Sequence, residues 1–391
     1  MSKRRALITV LASLLAVPAL DATPPSGLRP VSTYSIVARD PATGALGVAV
    51  QSHWFSVGSL VVWAEAGVGA VATQSFVDPS YGRNGLDLMR SGKSAGDALR
   101  ALVAGDEGRD VRQVAFVDAS GRVAAHTGAK CIEAAGHLTG EAFSVQANMM
   151  RSATVWPAME KAFREARGDL ASRLLAALEA AEAAGGDIRG RQSAAMLVVS
   201  GKSTGKPWVD TIVNVRVDDS PQPLVELRRL VQLQRAYNLM NEGDLAVEKK
   251  DDAAALAAYG AAQKLEPTNL EMAYWTAVSL VNMGKVDDAL PILFRVYASD
   301  ASWRELTARL PKAGLLPNDP ALLRRLSAPP PMTISMSAEP VAVPPALSAA
   351  SPEPKASPKA APAPAPPAAP TAVPSPKEGT FDRYFGGKKN G

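Results

Sequence analysis

Apolar and polar side chains alternate from Thr33 to Arg39, which is the two-residue period of a β-strand. A turn at 40–44 then reverses the chain into the apolar run 46–51, so the pattern predicts an opening β-hairpin. Helical periodicity follows in two pairs of segments, and the second helix of the first pair is predicted to start at a Ser94 cap. Further strands are predicted at 60–64, 68–74, 113–117, 123–126, 142–147, 194–199 and 209–217, and helices at 80–90, 95–104, 153–166 and 170–184.

The order of these elements indicates an α+β fold. Strands, two helices, strands, two helices and strands again is the order expected when helix pairs cover the outer faces of two stacked sheets. The pattern therefore predicts a four-layer αββα sandwich over residues 33–219. A single mixed sheet with helices on one side satisfies the same pattern, and residue propensity does not choose between the two.

From residue 221 the pattern is helical and repeats. A first helix is predicted at 224–238 and a last one near 301–310, and these two cap the helices between them. Three positions recur after 34 residues: Ala255, Tyr259 and Ala262 are followed by Ala289, Leu293 and Val296. This spacing resembles two tetratricopeptide repeats, which predicts a helical module over 221–315 with a groove for a protein partner. An ordinary antiparallel helical pair is the alternative.

The two ends of the chain differ from its body. Residues 1–22 have a cationic start, an apolar run at 6–17 and small residues at Ala19 and Ala22, which predicts a signal peptide. An apolar run of about twelve residues is shorter than the roughly twenty that span a bilayer. We therefore expect export to the periplasm or extracellular space, with no transmembrane anchor after cleavage. Residues 23–32 form a linker, and the Pro/Ala-rich residues 327–391 are predicted to be disordered.

The formal net charge of +4 belongs to those ends. Residues 1–22 and 328–391 each carry a net charge of +2, so the body of the chain is close to neutral. A nucleic-acid partner is not predicted, because such a partner requires a basic surface on the folded part. Cys131 is the only cysteine, which excludes an intrachain disulfide.

Four stretches resemble the signature segments of a bacterial domain of unknown function, the family numbered ten-twenty-eight. They lie at 33–40, at 66–74, at 126–128 with 136–137, and at 186–194. This family is grouped with the N-terminal-nucleophile (Ntn) hydrolases. The resemblance implies the αββα fold for residues 33–219, and it brings no established substrate. No cofactor is predicted.

The resemblance also implies a nucleophile. An Ntn hydrolase uses the first residue of its mature chain, with the free α-amino group as general base, and Thr33 is the matching position. Signal cleavage after Ala19 or Ala22 leaves about ten residues ahead of Thr33, so its nitrogen stays an amide unless a second cut follows. The chain also lacks a lysine near the second and third strands. We expect the longer N-terminus to persist, in which case Thr33 is an ordinary strand residue.

Three histidines, His53, His126 and His137, all fall in this region. Histidine is the usual general base and a common ligand, which makes them candidate binding residues. His126 and His137 flank a predicted hairpin or loop and are expected to approach each other. The alternative is that each ring satisfies a buried carbonyl group. None has a metal-ligand spacing, so no metal site is predicted.

The segment 185–192 joins a helix to a strand through closely spaced glycines. Arg189 and Arg191 offer fork-shaped donors for a carboxylate or phosphate, so this loop is a candidate contact for an anionic ligand. The candidate binding residues here are Asp187, Arg189, Arg191 and Gln192. The alternative is a structural turn whose arginines pair with acidic neighbours such as Asp118 or Asp218.

Two functions of different classes follow from these features. The first is an exported amidohydrolase that acts on a small amide or peptide-like ligand through Thr33. The second is a non-catalytic envelope protein that binds a ligand in the sandwich and a partner at the repeats. The substrate and the partner of the repeats are not specified by the sequence.

Overall fold

The computed structural model describes residues 33–328. The predicted signal peptide (1–22) and linker (23–32) lie outside the described residues, as does the predicted tail (327–391) apart from Ser327 and Ala328. The described chain is a mixed α/β protein with two antiparallel sheets and a C-terminal helical region.

Ten strands form the two sheets. They are β1 Thr33–Arg39, β2 Leu46–Ser52, β3 Val62–Glu65, β4 Gly69–Ser75, β5 Arg112–Asp118, β6 Val123–Thr127, β7 Gly136–Gly140, β8 Phe143–Asn148, β9 Ser193–Val199 and β10 Thr211–Val217. The larger sheet has the order β10-β9-β2-β1-β8-β7 and the smaller has the order β3-β4-β5-β6. Every neighbouring pair is antiparallel.

Twelve α-helices lie in the described part of the chain. They are α1 Gly58–Val61, α2 Ser80–Arg90, α3 Ala95–Gly105, α4 Val155–Glu165, α5 Leu170–Ala183, α6 Pro207–Asp210, α7 Pro223–Glu248, α8 Asp252–Leu265, α9 Leu270–Asn282, α10 Val286–Ser299, α11 Ser302–Arg309 and α12 Pro320–Ser327. None of the helices within 33–328 is both long enough and apolar enough to cross a membrane.

Three apolar clusters hold the sheets and the first helices together. One lies between the six-stranded sheet and the helices α4 and α5, where Tyr34 and Ile36 meet Met159 and Leu174. The second lies between the two sheets. The third lies between the four-stranded sheet and the helices α2 and α3. Burial of these apolar faces is the main stabilising contribution to this part of the fold.

Helix α2 lies unusually close to the smaller sheet because it carries two inward glycines. A Cβ atom on Gly82 would stand 2.3 Å from the Trp63 ring, and one on Gly85 would stand 2.4 Å from Phe116 Cζ. Glycine is required at both positions, since even a methyl group would collide with an aromatic ring.

Most predicted strands and helices are present, and the differences have local causes. Strand β7 was not predicted because Gly136–Gly140 is short, half-buried and framed by glycines, which leaves little hydrophobic alternation. The predicted strand at 60–64 is half helix, since α1 occupies Gly58–Val61 before β3 begins. Helix α7 is 26 residues long and extends well beyond the predicted end at 238.

Helix α7 belongs to two cores. Leu224, Leu227 and Val231 in its first half join the cluster that covers the six-stranded sheet. Its second half packs on α8, where Gly243 lies against the ring of Tyr259. The core of the α/β part therefore continues past residue 219, the end predicted from the strand pattern.

The helical region is built on the repeated positions. The six residues spaced by 34 positions are at most 1% exposed: Ala255, Tyr259, Ala262, Ala289, Leu293 and Val296. Helices α8 and α10 contribute these residues to two successive apolar clusters. Leu310 and Leu326 extend the second cluster towards α11 and α12. The sequence spacing thus corresponds to equivalent buried positions in α8 and α10, which alternate with α9 along the chain.

Candidate functional site

Thr33 is the first residue of β1, an interior strand of the larger sheet, and it is fully buried. In the ladder it lies opposite Ser52, the last residue of β2, and opposite Asn148, the last residue of β8. The Thr33 hydroxyl donates a hydrogen bond to Ser52 Oγ at 3.3 Å. The antiparallel order therefore surrounds Thr33 with polar ends of both neighbouring strands.

Side-chain amides from both sheets hold the Thr33 carbonyl oxygen. Gln74 Nε2 on β4 donates to it at 3.1 Å, and Asn148 Nδ2 on β8 donates at 3.5 Å. The same two amides also donate to Gln113 Oε1, at 2.7 and 3.0 Å respectively. Because the donors come from two sheets, the position of Thr33 is determined by tertiary structure as well as by its own strand.

A second chain of buried hydrogen bonds continues from this cluster between the sheets. Ser35 Oγ donates to Gln74 Oε1 at 2.5 Å and accepts from Gln146 Nε2 at 2.6 Å. Ser144 Oγ donates to Gln146 Oε1 at 3.0 Å. All four side chains are fully buried, so a polar strip runs along β8 from the Thr33 end, while the rest of the interface is apolar.

Backbone strain occurs at the same end of the sheets. Ser75 ends β4 with φ +69°, and Met149 follows β8 with φ +57°. Both residues have side chains, for which this left-handed region costs on the order of 1 kcal/mol. Such conformations concentrate at functional sites, where the surrounding structure maintains them.

The three predicted histidines occupy different places at this end. His137 Nδ1 and Thr127 Oγ1 are joined by a hydrogen bond of 2.8 Å, and Gln113 Nε2 donates to the same Thr127 oxygen at 3.0 Å. Burial lowers the pKa of His137, and repulsion from His126 lowers that pKa further. The Thr127 hydroxyl thus connects His137 to the Thr33 cluster through Gln113.

The other two histidines make different contacts. His126 Nε2 lies 2.8 Å from the carbonyl oxygen of Arg109, as expected for a ring that satisfies a backbone group. His53 follows β2, and its backbone N–H donates to Asp187 Oδ2 at 3.0 Å. The buried His53 Nδ1 has no hydrogen-bond partner in the described part of the chain.

In the loop 185–192 the predicted ligand-binding arginines are ion-paired within the chain. Arg189 Nη2 lies 3.0 Å from Asp187 Oδ2, and the Asp187 side chain is fully buried. Arg191 Nε lies 3.1 Å from Glu182 Oε1 on α5. The partners are Asp187 and Glu182, whereas the sequence had suggested Asp118 or Asp218.

The remaining contacts of this loop tie it to the sheet. The Tyr34 hydroxyl on β1 donates to Glu182 Oε2 at 2.8 Å, next to the Glu182 pair with Arg191. Gln192 Nε2 donates to Asp219 Oδ1 at 3.2 Å. The loop therefore packs beside the end of the sheet that contains Thr33, and its arginines are already ion-paired within the chain. Among residues 33–328, no group of three His, Cys, Asp or Glu side chains is arranged to hold a metal ion.

Comparisons with known proteins identify the family of this region. The sequence model of a family of unknown function, DUF1028, matches residues 33–227. A solved structure of a DUF1028 protein from Silicibacter pomeroyi is 35% identical, and the alignment covers 51% of this chain and 85% of that protein with a TM-score of 0.47. The chain belongs to the DUF1028 family. No curated protein matches it.

The limits of the DUF1028 region agree with the packing. It begins at Thr33, the residue on which the buried amides converge. It ends at residue 227, inside α7, and so includes Leu224 and Leu227 of the shared core. The family assignment made from the signature segments is confirmed, and the family carries no assigned activity.

Sequence reasoning missed the polar residues around Thr33: Ser52, Gln74, Gln113 and Asn148. Three of them end a strand or stand next to its last residue, as in Ala72-Thr73-Gln74-Ser75, and Gln113 stands near the start of β5. In the sequence a polar strand end looks like the start of a loop. It indicates a functional site only when the tertiary structure shows that it is buried.

Proposed function

We propose that the DUF1028 domain is an Ntn-hydrolase-like αββα sandwich and acts as an amidohydrolase on an amide or peptide-like substrate, with Thr33 as its nucleophile. The observation that carries this proposal is the position of Thr33. It opens an interior strand, its hydroxyl contacts Ser52, and its carbonyl oxygen is held by Gln74 and Asn148. The stacked clusters on both faces of the paired sheets support the four-layer description.

The chemistry requires a free amine at Thr33, and therefore cleavage of the bond between Ser32 and Thr33. The amine then takes the proton of Thr33 Oγ1 while that oxygen attacks the substrate carbonyl carbon. The same proton passes to the leaving nitrogen as the amide bond breaks, which leaves an ester on Thr33. Water hydrolyses the ester and regenerates the hydroxyl group.

The α-amino group of Thr33 acts as the general base for its own hydroxyl group. The sequence has no lysine between Thr33 and Lys93, so β1 to β4 contribute no ammonium group to activate the hydroxyl. Gln74, Gln113 and Asn148 are amides, which orient groups by hydrogen bonding but do not take up a proton at neutral pH. Activity is therefore tied to exposure of the Thr33 amine.

A chain in which Met directly precedes Thr33 tests this function. Removal of the initiator Met exposes Thr33, and we expect hydrolysis of small amide substrates that a chain with residues 23–32 does not show. Thr33→Ser should retain activity, and Thr33→Ala should lose about a thousandfold or more. Thr43→Ala, in the exposed β1–β2 turn, is the matched control. Equal activity of the Thr33→Ala and Thr43→Ala variants would contradict the proposal.

The protein as exported gives a second measurement. We place it in the periplasm or outside the cell, on the basis of the cationic and apolar pattern of residues 1–22. Cell fractionation tests the location, and intact mass with N-terminal sequencing identifies the first residue. A mature chain that begins at Thr33 supports the catalytic function. One that begins at Leu20 or Thr23 supports the binding function instead.

The binding function has its own observation, a groove of about 450 Å³ in the helical region. Tyr237 and Asn241 of α7 line it together with Trp275 and Asn282 of α9. Aromatic faces and side-chain amides suit an extended peptide, and the 34-residue repeat supports a tetratricopeptide-like reading of these helices. The partner in this case is a protein segment.

Pooled synthetic peptides test the groove by fluorescence anisotropy. Trp275→Ala should abolish binding of any peptide selected by the unmodified protein, because the substitution removes a lining ring. Leu245→Ala is the control, since Leu245 lies on α7 with its side chain exposed and outside the groove. If the unmodified protein selected no peptide from the pool, the proposed peptide-binding function of the groove would be contradicted.

A further inference from the structure

A cavity of about 380 Å³ lies at the end of the sheets opposite Thr33. Strand β1 runs from Thr33 to Arg39, so about 20 Å separates the two ends of that strand. The cavity is bounded by the turns that join β1 to β2, β5 to β6 and β7 to β8, and by the helices α4 and α5. It shares no residue with the candidate catalytic cluster.

Three arginines line this cavity against one carboxylate. They are Arg39 at the end of β1, Arg164 on α4 and Arg173 on α5, and the carboxylate is Glu141. The guanidinium groups gather several N–H donors in one concave space, which suits the oxygens of a small anion.

Two of these arginines are held in fixed orientations. The Arg164 guanidinium lies 4.9 Å from the centre of the Phe143 ring, and that of Arg173 lies 4.3 Å from the centre of the Phe163 ring. Each also has an acidic partner, since Arg164 Nε is 3.0 Å from Glu160 and Arg173 Nη1 is 3.7 Å from Asp40. Stacking and pairing limit the rotamers, so little entropy is lost when a ligand binds.

Arg39 differs from its two neighbours because it lacks a carboxylate. Among residues 33–328 it forms no ion pair, and its buried Nε has no hydrogen-bond partner. A charged donor buried without an acceptor is unfavourable, and no carboxylate in the described part of the chain neutralises this guanidinium. Arg39 lines the cavity, and the edge of a guanidinium group suits the two oxygens of a carboxylate or phosphate bound there.

The turn beside Arg39 is strained in a way that shapes the cavity. Ala142 has φ +58°, and its carbonyl oxygen accepts a hydrogen bond from the Arg39 backbone nitrogen at 2.8 Å. Gly121 faces Ala142 with φ +83°, and a Cβ there would stand 3.3 Å from Ala142 Cβ. These two turns fix the wall of the cavity beside Arg39.

We propose that this cavity binds a small organic anion through a phosphate or carboxylate group, with Arg39 as its principal donor. Arg164 and Arg173 supply further positive charge from the helix side. The volume lies at the lower end of the range for small-molecule sites, so the ligand is a compact metabolite-sized anion. The site is independent of Thr33 chemistry, since the two lie at opposite ends of β1.

Isothermal titration of the full-length protein with inorganic phosphate and, separately, with succinate tests the site at low ionic strength, where screening is weak. We expect at least one anion to bind, with affinity reduced about tenfold or more by Arg39→Gln. Arg83→Gln, a substitution of an exposed arginine on α2, should leave affinity unchanged, as should Thr33→Ala. Binding of phosphate alone or of succinate alone identifies the preferred group.

Two results would overturn the proposal. One is the absence of measurable binding for both anions at tens of millimolar, a range that covers weak charge-assisted sites. The other is equal affinity of the Arg39→Gln and Arg83→Gln variants. If the Arg39→Gln variant does not fold, the affinity of the Arg164→Gln variant tests the proposal instead. The Arg164 side chain is half exposed, so its substitution should leave the fold intact. Unchanged affinity of Arg164→Gln would then refute the site.

Discussion

Gln113 on β5 donates its side-chain amide to the backbone oxygen of Ala147 on β8 at 2.9 Å, so one glutamine ties the smaller sheet to the larger. The same Nε2 atom lies 3.2 Å from the carbonyl oxygen of Gly136 on β7. Its Oε1 atom accepts hydrogen bonds from the side-chain amides of Gln74 and Asn148, which also donate to the Thr33 carbonyl oxygen. Gln113 is therefore the central residue of the buried polar cluster.

Replacing Gln113 should destabilise the protein strongly. We expect Gln113→Leu to lower the free energy of unfolding by about 2–4 kcal/mol, because it leaves several buried donors and acceptors without partners. Urea denaturation followed by circular dichroism measures the change. Gln222→Leu, at an exposed position, is the matched control and should stay within about 0.5 kcal/mol. A similar effect of both substitutions would show that the cluster is not stabilising.

Two glycine substitutions on neighbouring helices should change the free energy of unfolding in opposite directions. Gly85→Ala places a methyl group against Phe116 and should cost about 1–3 kcal/mol of stability. Gly96→Ala on α3 meets nothing closer than the Arg100 guanidinium at 3.6 Å. It should add about 0.5–1 kcal/mol through helix propensity. Thermal unfolding of both variants checks the prediction, and stabilisation by Gly85→Ala would contradict the close approach of α2.

His137 should make stability depend on pH. Its pKa is lower in the folded protein than its ordinary value of 6.5, because the ring is buried and close to His126. Between those two pKa values the unfolded chain binds more protons than the folded protein does. The free energy of unfolding therefore has its full value, as far as His137 is concerned, above pH 6.5, and it decreases as the pH falls towards the folded pKa. The free energy of unfolding of the unmodified protein should decline below pH 6.5.

A variant separates His137 from the other titrating groups. His137→Gln keeps a polar side chain and should show a smaller decline between pH 7.5 and pH 5.5 than the unmodified protein. His126→Gln removes the repulsion on His137 together with the ring contact to the Arg109 carbonyl, and leaves the burial of His137 in place, so its pH slope should lie between the other two. If the unmodified protein and the His137→Gln variant had the same slope, His137 would not be the group responsible.

The first half of α7 should matter to the stability of the DUF1028 domain. We expect Leu227→Ala to cost about 2–5 kcal/mol, since Leu227 is fully buried in the cluster over the six-stranded sheet. Val225→Ala on the same helix should change stability by less than about 0.5 kcal/mol, because Val225 is 59% exposed. Chemical denaturation of both variants distinguishes the faces, and equal effects would place α7 outside the domain core.

The local pattern of apolar and polar residues was enough to predict most of the strands and helices. Strand β1 alternates and is present at Thr33–Arg39, and helix α2 is present over the predicted 80–90. Ser94 caps α3 as predicted, because its side chain accepts a hydrogen bond from the Asp97 backbone nitrogen within one turn. The repeat of Ala255 at Ala289 likewise depends on a local period, and both residues are buried.

The site was predictable only in part. Thr33 and the three histidines were recognised as candidates by residue type and by the family resemblance. Which of them come together depends on sheet order, since Ser52 and Asn148 reach Thr33 only because β2 and β8 flank β1. Ladder order is set by packing between residues distant in sequence, which no local period encodes.

The sequence by itself determined most of the strands and helices, the family of the domain and the positions that repeat, because these depend on short-range periodicity and on residue type. Only the tertiary structure decided which polar strand ends are buried, which carboxylates pair with Arg189 and Arg191, and how Arg39 is left beside a cavity without a partner. Some of these contacts join residues more than a hundred positions apart, as the one between Asn148 and Thr33 does. That contact forms only once the fold has placed β8 beside β1.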